Sequence, residues 1–498
     1  MRGLAFKLAA LKRALLQWNK EVFGNIFDAV YKAEERLLRA EDTLEMDDCE
    51  ENVVACNLAR ALLQQAHKKE EMFSSQKANV RWISQGDAST AFFHSLVKGR
   101  RNRLFISSLK NTVGCMLSSQ EEVAKDAVAH FTRVFSTVHE GDMGEVLSHI
   151  PSLLSEQDND MLGRLPDEEE VRKTIWALNA NSAAGADGFN GFFFRQVWDI
   201  IKVDVSKVVQ EFFLGIPLPR VFGSTLITLI PKIEGAITLD HFRPISLSTF
   251  FSKILSRILS DRLKRVLPTL ISTEQAAFQQ GKSINEHVLM VKEMGDPLSP
   301  LLFILAMEGF TRYFNHLANI GRISCFSSGR TVAPSHLLYA DDIVIFTRAD
   351  CRNLLRLKAS LSTFGMASGQ AINFNKSQVI VHDKMRQEHR AKIKSILGIR
   401  CTTREFTYLG STVVRGKLRK AHCQALIQKF ERRIAAWYSR KLNQMGRLIL
   451  IKHVLSSIPL HILAVQELPK SVIKCLHMMM ANFFWGAKDE GHKYHWRK

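Results

Sequence analysis

HLLYADDIVIF, residues 336–346, is two apolar runs interrupted by two neighbouring carboxylates, Asp341 and Asp342. Apolar, β-branched runs on either side of a short polar break predict a β-hairpin with both acids at its turn. Aspartate is common in turns, so the pair alone fits an ordinary hairpin. Two anions side by side repel, and apolar surroundings raise that cost. A divalent cation removes it: Mg²⁺ takes oxygen ligands and keeps waters and substrate phosphates in its shell. Two such ions can hold both the attacking and the leaving oxygens of a phosphoryl transfer.

Downstream, a helix is expected near 352–366. SGQAINFNKSQVIV reads as a loop and strand, TYLGSTVVRG as another strand, and the chain from Lys417 as helical and basic. Upstream, GDPLSPLLFILAMEGF reads as a turn leading into an apolar helix, and SINEHVLMVKEM as the end of another. They meet at Met294 and Gly295 with no linker. Thr249 to Val266 predicts a helix with a basic face, HFRPIS a Pro-broken turn, and STLITLIPK a strand stopped by Pro231. FFFRQVWDIIKVDVSKVVQEFFL predicts one long helix. NSAAGADGFNG is a Gly and Asp loop, and LPDEEEVRKTIWAL a helix with an acidic first turn.

Residues 1 to about 80 read as helical. Leu8, Leu11, Leu15, Trp18 and Val22 recur at alternating spacings of three and four, and Ile26, Val30, Ala33 and Leu37 carry the stripe on. The polar break EDTLEMDDCEEN, followed by Leu58, Leu62 and Ala66, predicts a helical hairpin. Next, Trp82, Phe92, Phe93 and His94 mix with Arg100, Arg101 and Arg103. Bases stack on aromatics while cations meet phosphates, so the mixture suits RNA; a small aromatic core beside a solvated loop reads equally well.

The 498 residues are 46% hydrophobic and carry a net charge of +19. That charge points to a polyanionic partner, most often nucleic acid. The eight cysteines form no C-x-x-C pair, as in a reduced intracellular protein. No run of about 18 apolar residues predicts a membrane span, and Lys7, Lys12 and Arg13 break any secretory core. Nucleus or cytoplasm is the expected location.

Taken in order, NSAAGADGFNGFFF, LITLIPK, HFRPISLS, QAAFQQGKSINEHVL, GDPLSPLLFILAME, LLYADDIVIF, GQAINFNKS and YLGSTVV resemble the successive blocks of a reverse transcriptase. The class is the non-LTR (LINE-type) retrotransposon, in its plant branch. WNKEVFGNIF, QKANVRWISQGDASTAFFH and the stretch from RRIAAWYSR to HWRK are similar to segments flanking the polymerase in those elements. The resemblance implies an α+β right-hand polymerase of fingers, palm and thumb behind a helical N-terminal extension. Its divisions fall at 1–160 (extension), 161–290 (fingers and start of palm), 291–412 (palm) and 413–498 (thumb). It implies Mg²⁺ or Mn²⁺, an RNA template, a DNA primer and deoxynucleoside triphosphates. Carried over, Asp341 and Asp342 are the catalytic, metal-binding pair. Tyr339 lies beside the primer terminus, and Lys232 and Arg243 are fingers cations for triphosphate. Gly295, Asp296 and Pro297 open the nucleotide-pocket helix, and Lys376 belongs to the loop after the hairpin. A guanidinium suits phosphate oxygens, and Pro244 biases Arg243 to extended backbone.

One block is missing. Such polymerases carry a further aspartate in a block resembling K-L-D-M-x-K-A-Y-D, between VLMVKEM and GDPLSP, which are adjacent here. Between Lys232 and the hairpin only Asp240, Asp261 and Asp296 occur, none in a β-rich run. Two carboxylates then stand where three should bridge two metals. The expectations are negligible catalysis, impaired metal binding, an incomplete palm sheet and an exposed hairpin edge. A wrongly removed intron at 294/295 would give the same sequence from an active polymerase. A non-catalytic RNA- or DNA-binding remnant is the other alternative. Neither the upstream endonuclease nor the downstream Cys/His-rich segment of such elements is recognisable, as expected of an internal fragment.

Overall fold

The computed structural model describes residues 1–78, 99, 101–102, 104–136, 143–233, 235–276, 296–326, 334–403, 405–409, 411–414, 417–438, 444–463 and 466–485. The chain is a mixture of helices and small two-stranded sheets. It divides into two compact units, 1–12 with 106–403, and 13–105 with 404–498.

In the first unit, the start of helix α1 (Arg2–Trp18) joins the largest core. Leu4 and Leu8 pack with Val171 and Ile175 of α3 (Glu168–Ala177), Val205 of α4 (Trp198–Phe213) and Ile254 of a later helix. A short helix, α2 (Gly144–Leu147), precedes them in sequence. The Asp167 side chain accepts from the Glu170 N–H at 2.7 Å and starts α3. The long helix expected over 192–214 is instead two, Gly191–Gln196 and α4, separated at Val197.

Strands β1 (Thr225–Pro231) and β2 (Phe242–Ser248) pair antiparallel over their full lengths. HFRPIS is therefore strand, not the expected turn: Pro244 sits opposite Leu229. A two-stranded sheet has only edge strands, where a residue without an N–H is tolerated. Thr249 then caps α5 (Phe250–Leu270), accepting from the Ser252 N–H at 3.2 Å. Arg262, 4% exposed, staples α5 to the preceding helices. It grips Glu170 at 3.0 and 2.8 Å, and the Leu162 and Arg164 carbonyls at 3.0 and 2.5 Å.

Helix α6 (Ser299–Asn319) carries a third core. Met307, Phe310 and Phe314 pack on Leu338 of β3 (His336–Tyr339) and on α7 (Cys351–Ser368). Strand β3 pairs with β4 (Asp342–Ile345), the hairpin expected from the sequence. Its β3 side is not an open edge. Leu338 donates to the Glu274 carbonyl, and the Ala276 N–H donates to the Leu338 carbonyl, both at 2.9 Å, in a parallel bridge. On the β4 side no further strand runs among the described residues.

β5 (Gln378–Ile380), α8 (Gln387–Leu397) and β6 (Arg400–Thr402) form a small parallel crossover. In the second unit, TYLGSTVVRG gives two strands rather than one. β7 (Glu405–Tyr408) and β8 (Ser411–Val414) pair antiparallel. Helices Ile26–Met46 and Glu50–Ala78 make the expected hairpin, and helices from Gln424 onward enclose Phe430, Leu450, Val472 and Phe483.

Candidate active site

Tyr339 faces Asp342 across the last pair of the β3–β4 ladder, so Ala340 and Asp341 form a two-residue turn. Ala340 has φ 52°, a left-handed backbone that a residue with a Cβ adopts at a cost. A positive φ at the first turn position matches the twist of a tight hairpin. Both aspartates are solvent-exposed. The Asp342 carboxyl is nonetheless pushed above its usual range, first by partial desolvation and then by Asp341 beside it.

The hairpin is anchored by a polar network with no signature in the sequence. His336 is fully buried; its Nδ1 lies 2.8 Å from Ser335 Oγ and its Nε2 3.2 Å from Thr311 Oγ1. Ser335 Oγ donates to Asn315 Oδ1 at 2.8 Å, and Asn315 Nδ2 donates to Glu274 Oε1 at 3.0 Å. The rings of Phe310 and Phe314 meet His336 edge-to-face at 5.5 and 5.2 Å. Burial pushes the His336 imidazole down to about 4, against the pull of Glu274. Burial also raises the Glu274 carboxyl, but the Asn315 amide, its own backbone N–H and His336 reverse this and leave it below the usual range. Glu308, 5% exposed, accepts from the Ser272 N–H at 3.0 Å and from its hydroxyl, and pairs with Arg312 at 2.9 Å.

The cations expected in the fingers stand on a separate sheet. Phe242 points into a core with Leu109 and Phe131, so the strand alternation turns Arg243 outward. Arg243 pairs in register with Ile230, and the Lys232 N–H donates to the His241 carbonyl, which puts Lys232 and Arg243 on one face. Lys232 Nζ donates to the Asp240 carbonyl at 2.6 Å. Arg243 makes no ion pair among the described residues. Lys376 is exposed on a turn closed by Asn373, whose side chain accepts from the Lys376 N–H at 3.2 Å.

Asp296 acts at the start of α6: its Oδ2 accepts from the Ser299 N–H at 3.2 Å and Oγ at 2.7 Å. Pro297 precedes the helix, and Gly295 lies outside the described residues, as do Met294 and the aromatic positions 82, 92, 93 and 94 with Arg100 and Arg103. Asp261 is taken by Arg257 at 2.7 Å and Lys264 at 3.1 Å. Among the described residues no group of three or more His, Cys, Asp or Glu converges as a metal site. Asp341 and Asp342 have the right oxygen chemistry for Mg²⁺. As two side chains from one turn they do not make the cage that two bridged ions need.

Residues 289–413 match the reverse transcriptase (RNA-dependent DNA polymerase) family, so the hairpin sits in a segment of that type. The chain is similar to a transposon TX1 uncharacterized 149 kDa protein of Xenopus laevis, 24% identical over 303 residues. That match covers 59% of this chain and 22% of the frog protein. It is also similar to an Arabidopsis thaliana protein named for ribonuclease H, 32% identical over 83 residues, 17% of this chain and 13% of that one. The chain thus spans less than a quarter of either relative. No described helix is long and apolar enough to cross a membrane.

Proposed function

We propose that this chain is the reverse transcriptase part of a LINE-type retrotransposon protein of the plant branch, defective in catalysis and still able to bind nucleic acid. The observation that carries the reading is the carboxylate count. Asp341 and Asp342 stand at the hairpin turn without a third acid among the described residues. The one segment paired beside β3 brings Glu274, whose carboxylate turns to Asn315 instead. Asp261 and Asp296 have their own local partners. In polymerases of this class divalent ions stabilise the charge that develops at the transferred phosphate; here the pair holds Mg²⁺ or Mn²⁺ weakly. Lys232 and Arg243, outward on one hairpin face, serve phosphate oxygens of triphosphate or template, and Tyr339 flanks the primer end. The division into extension, fingers, palm and thumb at 160, 290 and 412 belongs to the same reading.

The test pairs RNA binding across a salt series with primer extension in Mg²⁺ and in Mn²⁺. Salt-dependent binding without extension is expected. Extension abolished by Asp341→Asn overturns the defect. The transcript across the codons for Met294 and Gly295 decides the intron alternative: an in-frame D-M-x-K-A-Y-D block there restores an active polymerase.

A further inference from the structure

Helix α2 and the turn after it lie along α6. Val146, 1% exposed, enters the core of Met307, Phe310 and Phe314. Gly309 leaves room for it: a Cβ there would stand 3.5 Å from Val146 Cγ1 and 3.8 Å from Ile150 Cδ1. The Tyr313 hydroxyl donates to Glu145 Oε1 at 3.2 Å. Beyond it the imidazoles of His149 and His316 stack face to face, centroids 4.0 Å apart and planes 18° apart. Both histidines are half-buried.

We propose that residues 143–150 are a pH-released clip on α6, with the His149–His316 stack as its proton sensor. Imidazole changes charge between about pH 5 and 8. Neutral rings stack well, and a single proton leaves a cation over a ring. Two protons place like charges at stacking distance. Unit charges about 4 Å apart repel by an amount worth roughly five-fold in water, and more at a half-buried site. The released segment takes both protons without that repulsion, so it binds more protons than the docked one, and falling pH favours release.

The other groups around the stack leave this balance in place. Glu145, on the clip, is bonded to Tyr313, and Arg312, on α6, to Glu308 and to the Leu270 carbonyl at 3.2 Å. α7 brings only Ser360 and Thr363 to Tyr313, both neutral. The buried His336 charges only near pH 4, so the hairpin anchor outlasts the clip.

Hydrogen exchange by mass spectrometry on the full chain, normalised to intrinsic rates, reads the release. Between pH 7.5 and 5.5 the amides of 144–150 and 307–316 should lose protection on the order of ten-fold, while 250–270 stay protected. His149→Phe keeps a ring in the stack but cannot charge, and should be flat across the range; His316→Phe should behave alike, and decides the matter if the first variant does not fold. No pH response in the parent overturns the proposal. So does an equal response in the folded Phe variant, or a loss of protection spread over the whole chain.

Discussion

Ala340 and His336 show how far a single residue can be read. The tip acids follow from the sequence because apolar β-branched runs flank them, and a two-residue turn is then nearly forced. The left-handed φ at Ala340 does not follow, since alanine does not announce such a backbone as glycine would. His336 was equally invisible: its partners Thr311, Asn315 and Ser335 come from another helix and from the preceding loop, and no local pattern marks them. Its burial has a consequence for stability. With the folded imidazole at about 4 against an ordinary value of 6.5, the unfolded chain takes up a proton that the folded chain refuses. The contribution is whole above about pH 6.5 and is lost as pH falls toward 4, up to about 3 kcal/mol. Urea unfolding at pH 7.5, 6 and 5 should show this decline, and His336→Gln should flatten it.

At the scale of elements, long periodic segments were legible and short ones were not. Helices α5, α6 and α7 follow from their apolar stripes. The crossover of β5, α8 and β6 has three-residue strands, too short for a period to declare itself. HFRPIS was misread because proline usually punctuates, yet a two-stranded ladder accommodates it. The missing strand left a hairpin edge to be explained, and the segment after α5 covers the β3 side of it through Leu338. Asn315 holds that segment by its side chain. Asn315→Ala should remove the bonds to Glu274 and Ser335, cost about 1–3 kcal/mol, and raise exchange of the Leu338 amide well above that of neighbouring β3 amides. Unchanged Leu338 protection would show that backbone pairing alone suffices.

For the whole molecule, the sequence pointed correctly to helices at both ends and a mixed centre. It did not reveal that the first turns of α1 pack within the core of residues 171–258. Amphipathic periodicity tells which face a helix buries, never against what. Leu4 and Leu8 are 4% and 7% exposed there, and Lys7 and Lys12 reach Asp204 and the Ala186 carbonyl at 2.6 and 3.1 Å. Leu8→Ala should therefore destabilise the unit by about 2–5 kcal/mol, measured by urea unfolding with the fluorescence of Trp176 and Trp198, which share that region. A loss under about 0.5 kcal/mol would mean that α1 rests on the surface.

The same packing sets a timetable. Leu8 and Ile258 touch one core and lie 250 positions apart. At about 5–20 residues per second, a ribosome needs roughly 12–50 s to deliver the second after the first. Through that interval the nascent helix shows its leucines to water with nothing to cover them. Whatever the finished protein does, its earliest segment is a chaperone's client until the middle of the chain has been made.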